Sequence, residues 1–211
     1  MLNIEIKKSN LPITKEKNFT TSKKIVLDIG LEVVFQINFP QKNILNVIDN
    51  LIIDLVLSKN QKETDSYNSF SILLETLNRE IKKLNKTYSL QNLNIFIGII
   101  QQETFHFSIL GNYSIYLIKN NKILNIADGM QGKNLEFSYI SSGNIGPSDN
   151  IYISNVKILD YITKDDIFEI SKLKDDHEKI NIIERLFIEE NINEQYEIIL
   201  LSNKLLVQEG E

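Results

Sequence analysis

Between Leu93 and Ser154 the chain reads as a run of short strands, and on both sides of that block the apolar spacing turns helical. A chain written this way must layer helices on sheets, because each element hides only one face on its own. Leu93–Ile100 is followed by a turn at Gln101-Gln102-Glu103. Thr104–Leu110 then alternates Phe105, Phe107 and Ile109 with His106 and Ser108. Gly111-Asn112 interrupts, and Ser114–Lys119 pairs with Lys122–Ile126 across Asn120-Asn121, a dipeptide that tolerates positive φ. Leu135–Ile140 and Asn150–Ser154 read as two more strands.

Upstream, Leu2–Ile6 alternates, a polar stretch runs from Lys7 to Lys24, Ile25–Leu27 is a short apolar run before Gly30, and Glu32–Phe39 is a strand closed by Pro40. Ile44–Leu57 is a helix whose polar stripe is Asn46, Asn50 and Asp54, so most of it should be core. Ser69–Leu84 is a second helix, with Phe70, Leu73, Leu74, Leu77 and Ile81 on one face and Asp65 or Ser66 as cap. Downstream, Thr163 caps a helix with Asp166 at its third position, and Ile180–Glu190 is another helix. The last strand, Tyr196–Ser202, holds the unbroken run Ile198-Ile199-Leu200-Leu201, the pattern of a strand covered on both faces. The expected fold is α+β, a four-layer αββα sandwich of two mainly antiparallel sheets flanked by helices. With no repeat and no linker in the 211 residues, one domain over 1–211 is expected.

Composition removes several function classes. The net charge of −5, from 23 basic and 28 acidic residues, argues against a nucleic-acid partner. There is no cysteine and there are only two histidines, so thiolate and multi-histidine metal sites are excluded. Apolar runs are too short to cross a bilayer, and Met1-Leu2-Asn3-Ile4-Glu5 has no signal-peptide pattern, so a soluble cytoplasmic protein is expected. Ala127 is the only alanine, and Arg79 and Arg185 the only arginines, a bias that reads as AT-rich coding and leaves little guanidinium for phosphate recognition.

Several strings, in order, resemble the metal-dependent (PPM-type, type 2C) protein serine/threonine phosphatases. Leu31–Ile37 sits where that family has a strand ending in an Ala-Asp-Gly turn. Gly111-Asn112-Tyr113-Ser114-Ile115-Tyr116-Leu117 resembles its Gly-Asp-Ser-Arg-x-Tyr-Leu hairpin, and Ser148–Asn155 its Gly-Asp-x-Leu-Leu-Leu-x-Ser-Asp strand. Asp160–Ile167 is similar to the segment opening the next helix, and Asn193–Ile199 falls where Asp-Asn-Ile-Thr-Val-Val begins the final strand. The resemblance spans residues 20 to 203 and rests on the ordered set. It implies an αββα sandwich with two Mn²⁺ or Mg²⁺ ions held by aspartates around a water that attacks phosphate.

The departures fall on the chemistry. The first-turn Asp corresponds to Gln36 and its Gly to Ile37. The Ser-Asp-Gly aspartate corresponds to Asn155 and its Gly to Val156, and the last Asp at best to Glu194. The hairpin Asp and Arg are Asn112 and Ile115, and no arginine precedes Arg79. Paired dications need several anionic oxygens, which neutral amides do not supply. The expectation is therefore a degenerate relative: no catalytic residue, no metal or other cofactor, and a binding or regulatory role toward a protein partner. The alternative is an active, Mg- or Mn-dependent phosphatase with relocated ligands Asp128, Asp149, Asp160 and Glu194. A third reading is an unrelated α+β module.

Other residues have plainer readings. Ala127-Asp128-Gly129-Met130 matches the family's metal-binding string but comes after the hairpin, so it reads as a strand-ending turn. His106 is a candidate base that reads better as a strand residue beside Ser108, and His177 lies in a charged stretch. Thr20-Thr21 could hold an N-terminal nucleophile after processing but reads as loop. Lys82, Lys83 and Lys86 read as a solvated helix face.

Overall fold

The structure is a computed structural model, and it describes residues 2–8, 18–27, 30–59, 65–130, 135–190, 192 and 196–203. Among the described residues ten strands form two sheets. One contains β1 (Leu2–Lys8), β10 (Glu197–Asn203), β9 (Asn150–Ser154), β6 (Ser114–Lys119) and β7 (Lys122–Asn125), in that spatial order. The other contains β2 (Phe19–Val26), β3 (Leu31–Phe39), β4 (Asn94–Gln101), β5 (Thr104–Leu110) and β8 (Ser141–Asn144). Every strand pairing among the described residues is antiparallel. Helices α1 (Lys42–Lys59) and α2 (Ser66–Thr87) cover the second sheet, and α3 (Lys164–Lys172) and α4 (Asp176–Glu189) cover the first.

Three apolar layers follow from strand alternation. In β3, Val33, Phe35 and Ile37 join the layer under α1 and α2, while Val34 turns to the layer between the sheets. In β10, Ile198 and Leu200 pack under α3 and α4, while Ile199 and Leu201 face the other sheet. The unbroken apolar run of β10 thus serves two cores at once.

Local signals account for most element ends. Asp65 caps α2 by accepting the Tyr67 N–H, and Thr163 caps α3 by accepting the Asp166 N–H. Asn120 and Asn121 both take positive φ in the β6–β7 turn. Gly111 is also at positive φ, and a Cβ there would collide with Asn94 Oδ1.

Two sequence expectations are corrected. The polar stretch from Lys7 to Lys24 contains most of β2, an edge strand whose lysines and threonines hid its alternation. Leu135–Ile140 is not a strand: Asn78 of α2 captures the Phe137 backbone at both ends, 2.8 Å to its N–H and 3.0 Å to its carbonyl, and the strand forms one segment later as β8.

Asp176 anchors α4 to the first sheet. It is buried and accepts from Lys179 Nζ at 2.9 Å, Ser202 Oγ at 2.6 Å and Asn3 Nδ2 at 2.7 Å. Asp176→Ala removes three charge-assisted bonds and strands a buried ammonium, so it should cost about 3 kcal/mol or more. Lys172→Ala, at an exposed pair, should cost under about 1 kcal/mol. Urea unfolding of both variants checks the ranking; equal costs would contradict it.

Candidate functional site

The layer between the two sheets is mainly apolar, and among the described residues Ser22, Gln36 and Glu197 form a polar seam across it. Ser22 of β2 and Gln36 of β3 are opposite each other in register, and Gln36 shares its strand face with Val34, toward the other sheet. Glu197 shares its face with Ile199 and Leu201, so it enters the same layer from β10. All three side chains are buried, and Gln36 is wholly inaccessible.

Glu197 is held at three points. Ser22 Oγ donates to its carboxylate. Gln36 Nε2 donates to its backbone carbonyl at 3.1 Å, and its backbone N–H donates to Asn155 Oδ1 at 2.9 Å. Tyr113, also buried, donates its hydroxyl to the Gln36 carbonyl at 3.2 Å. Burial pushes the Tyr113 phenol well above its ordinary value, and the Glu197 charge pushes it further, so it stays a protonated donor. Gln36 Oε1 finds no donor among the described residues, an orphan buried acceptor inside the seam.

The structure therefore brings Gln36 and Asn155 onto one residue, and that residue was missed by sequence reasoning. The signal was present: Glu197 is the one charged member of a strand that is otherwise apolar until Ser202. Glu194, the sequence candidate for this end of the seam, lies outside the described residues.

The other sequence candidates are placed elsewhere. Asp149 is buried but pairs with Lys119 Nζ at 2.7 Å and accepts the Gly146 N–H at 2.7 Å. Asp160 is exposed in a single 3-10 turn at Ile158–Asp160. Asp128 is exposed in a turn whose flanks, Ala127 and Met130, plug the inter-sheet core. Among the described residues no three His, Asp or Glu side chains gather as a metal-holding group. Ile115 and Val156, which the sequence resemblance sets against an Arg and a Gly, are core residues.

His106 lies on the face of β5 away from Phe105 and Phe107, between Ser66 Oγ at 3.1 Å and Ser142 Oγ at 2.7 Å. His177 is exposed in the first turn of α4. Thr20 is a strand residue whose hydroxyl accepts from Asn38 Nδ2 at 2.9 Å.

This is the αββα sandwich of the PPM-type serine/threonine phosphatases. Stp1 from Staphylococcus aureus superimposes with a TM-score of 0.75 at 10% identity, over 97% of this chain and 96% of that one. The S. agalactiae serine/threonine phosphatase gives 0.74 at 11% identity, over 97% of this chain and all of that one. The catalytic domain of PstP in complex with two manganese ions gives 0.71 at 10% identity, over 95% and 97%. No family model matches the sequence, and no curated protein matches it. At these identities the likeness defines the fold.

The residues of the seam do not fit a pair of divalent ions. Its amides are neutral, both are engaged by the Glu197 backbone, and one carboxylate cannot offset two dications. A carboxylate at position 36 would present only acceptors to the Glu197 carbonyl. Gln36→Glu should therefore cost about 3 kcal/mol or more, against about 1–2 kcal/mol for Gln36→Met, which only removes the donor. Denaturant midpoints give the ranking; a Glu variant as stable as the parent would contradict the clasp.

Desolvation holds His106 below its ordinary value of 6.5, only partly countered by Asp65. Its folded form resists protonation, so its contribution is intact above the unfolded value and fades as pH falls through and below 6.5. His106→Asn should flatten the stability profile over that interval; an unchanged slope in thermal melts would contradict this.

Proposed function

We propose that this chain is a catalytically inactive PPM-type phosphatase domain, spanning 1–211 as one unit, that acts by binding a protein partner. The observation that carries the reading is the clasp on Glu197: Gln36 and Asn155 spend their amides on its backbone, where a two-metal phosphatase needs free carboxylates. Val156 and Ile115 support it, because each fills core space at positions where the active family keeps Gly and Arg. On this reading no metal or other cofactor is required. A cytoplasmic, signalling role belongs to the same proposal, in keeping with a cysteine-free chain.

The competing reading, an active enzyme with ligands relocated to Asp128, Asp149, Asp160 and Glu194, has less behind it. Asp149 is committed to Lys119, and Asp128 and Asp160 are single exposed carboxylates. Usual surface carboxylates of this kind hold no ion without further anionic partners.

Two assays test the proposal together. With millimolar Mn²⁺ or Mg²⁺, hydrolysis of an aryl phosphate should stay at the buffer rate, and calorimetric titration with Mn²⁺ should give no binding heat above dilution. Turnover that appears with Mn²⁺ and vanishes with EDTA would overturn it.

A further inference from the structure

The outer face of α2 carries a charge pattern opposite to that of the chain. A groove of about 440 Å³ runs along it, lined by Glu75, Asn78, Arg79, Lys82, Lys83 and Lys86. Its lining sets four cations against one carboxylate, in a protein whose net charge is −5. We propose that this groove docks an acidic segment of a protein partner. The proposal rests on the protein-binding reading above and gives the partner's chemistry.

Four features support it. First, Arg79 and Lys83, one turn apart, share Glu80, at 3.4 Å and 2.8 Å, and Lys82 meets Glu136 at 3.0 Å. The three cationic side chains remain 63% exposed. Exposed, solvent-screened pairs of this kind are weak, so an incoming carboxylate can exchange with them. Second, Arg79 is one of two arginines in the chain, and its planar fork matches a carboxylate in two bonds. Third, the groove is preformed, because Asn78 locks the Phe137 backbone beside α2 at both ends. Preorganisation lowers the ordering cost of binding. Fourth, Ile72 lies 40% exposed, three residues before Glu75 on the same helical face. It offers an apolar anchor beside the charges.

A second copy of the chain fits less well. The stretch 164–190, which holds α3 and α4, has nine acidic residues against five basic ones, so it could meet the groove of another copy. That contact joins two different surfaces and repeats without closing, which builds open chains of protein. A nucleic acid fits less well too, since a long polyanion is repelled by the remainder of an acidic protein.

The test uses the full chain and a fluorescein-labelled peptide rich in Asp and Glu with one Leu-Leu pair, read by anisotropy at low and at physiological salt. Binding should weaken with salt and fall about tenfold or more in the double variant Arg79→Glu, Lys83→Glu. Ile72→Ser should lower it by about fivefold, the loss expected for about 1 kcal/mol of apolar contact. These side chains are exposed, so melting temperatures should stay near the parent's. Should the double variant fail to fold, Lys86→Glu alone should still weaken binding. No binding, equal binding by the reversed variants, or equally tight binding of single-stranded oligo-dT at matched charge would each overturn the proposal. Concentration-dependent polymerisation that the same charge reversals abolish would instead assign the groove to a second copy and overturn it likewise. None of these outcomes bears on phosphatase turnover, so this inference and the inert reading fail separately.

Discussion

Glu197 is a polar point at which the two halves of the sandwich are fastened across their apolar layer. Apolar layers between sheets are non-directional and tolerate sliding, whereas a hydrogen bond fixes one register. Here Ser22 and Gln36 from one sheet reach Glu197 in the other, and Asn155, in the bend just after β9, accepts the Glu197 N–H. The carbonyl and N–H of one residue demand a donor and an acceptor, and amide side chains offer both kinds. Gln36 is matched to this task in a way that a carboxylate is not.

The fold does not depend on the chemistry of that seam. Three apolar layers, each built from one strand face or helix stripe, hold the sheets and helices together. Such layers need volume and alternation more than particular residues. That is why the architecture matches the bacterial phosphatases at about one residue in ten identical. Metal-centred catalysis is less forgiving, because it needs named charges at named positions. A chain can lose the second and keep the first.

Much of the fold was legible. Helices α1 to α4 showed as apolar spacing with caps at Asp65 and Thr163, and β10 showed both-face burial in its unbroken run. The misses have a common cause. In β2 the edge position admits Lys23 and Lys24, which broke the apolar signature of a strand. At Leu135–Ile140 the apolar residues pack onto α2 through Asn78, a tertiary contact that periodicity does not encode. The site was half legible. Gln36 and Asn155 stood out because the sequence resemblance sets them against carboxylates. Glu197 did not, because a lone Glu at the edge of an apolar run reads as a strand end, and its inward face is fixed by the pairing of β10 with β1 and β9.

The central claim is that the seam is closed by protein groups and has no place for a metal pair. Crystals grown or soaked in manganese, with anomalous scattering recorded at the manganese edge, examine it most directly. The account predicts Gln36 and Asn155 bonded to the Glu197 backbone, with no anomalous peak between the sheets. Two peaks bridged by a solvent oxygen at that seam, with either amide swung away from Glu197, would contradict it.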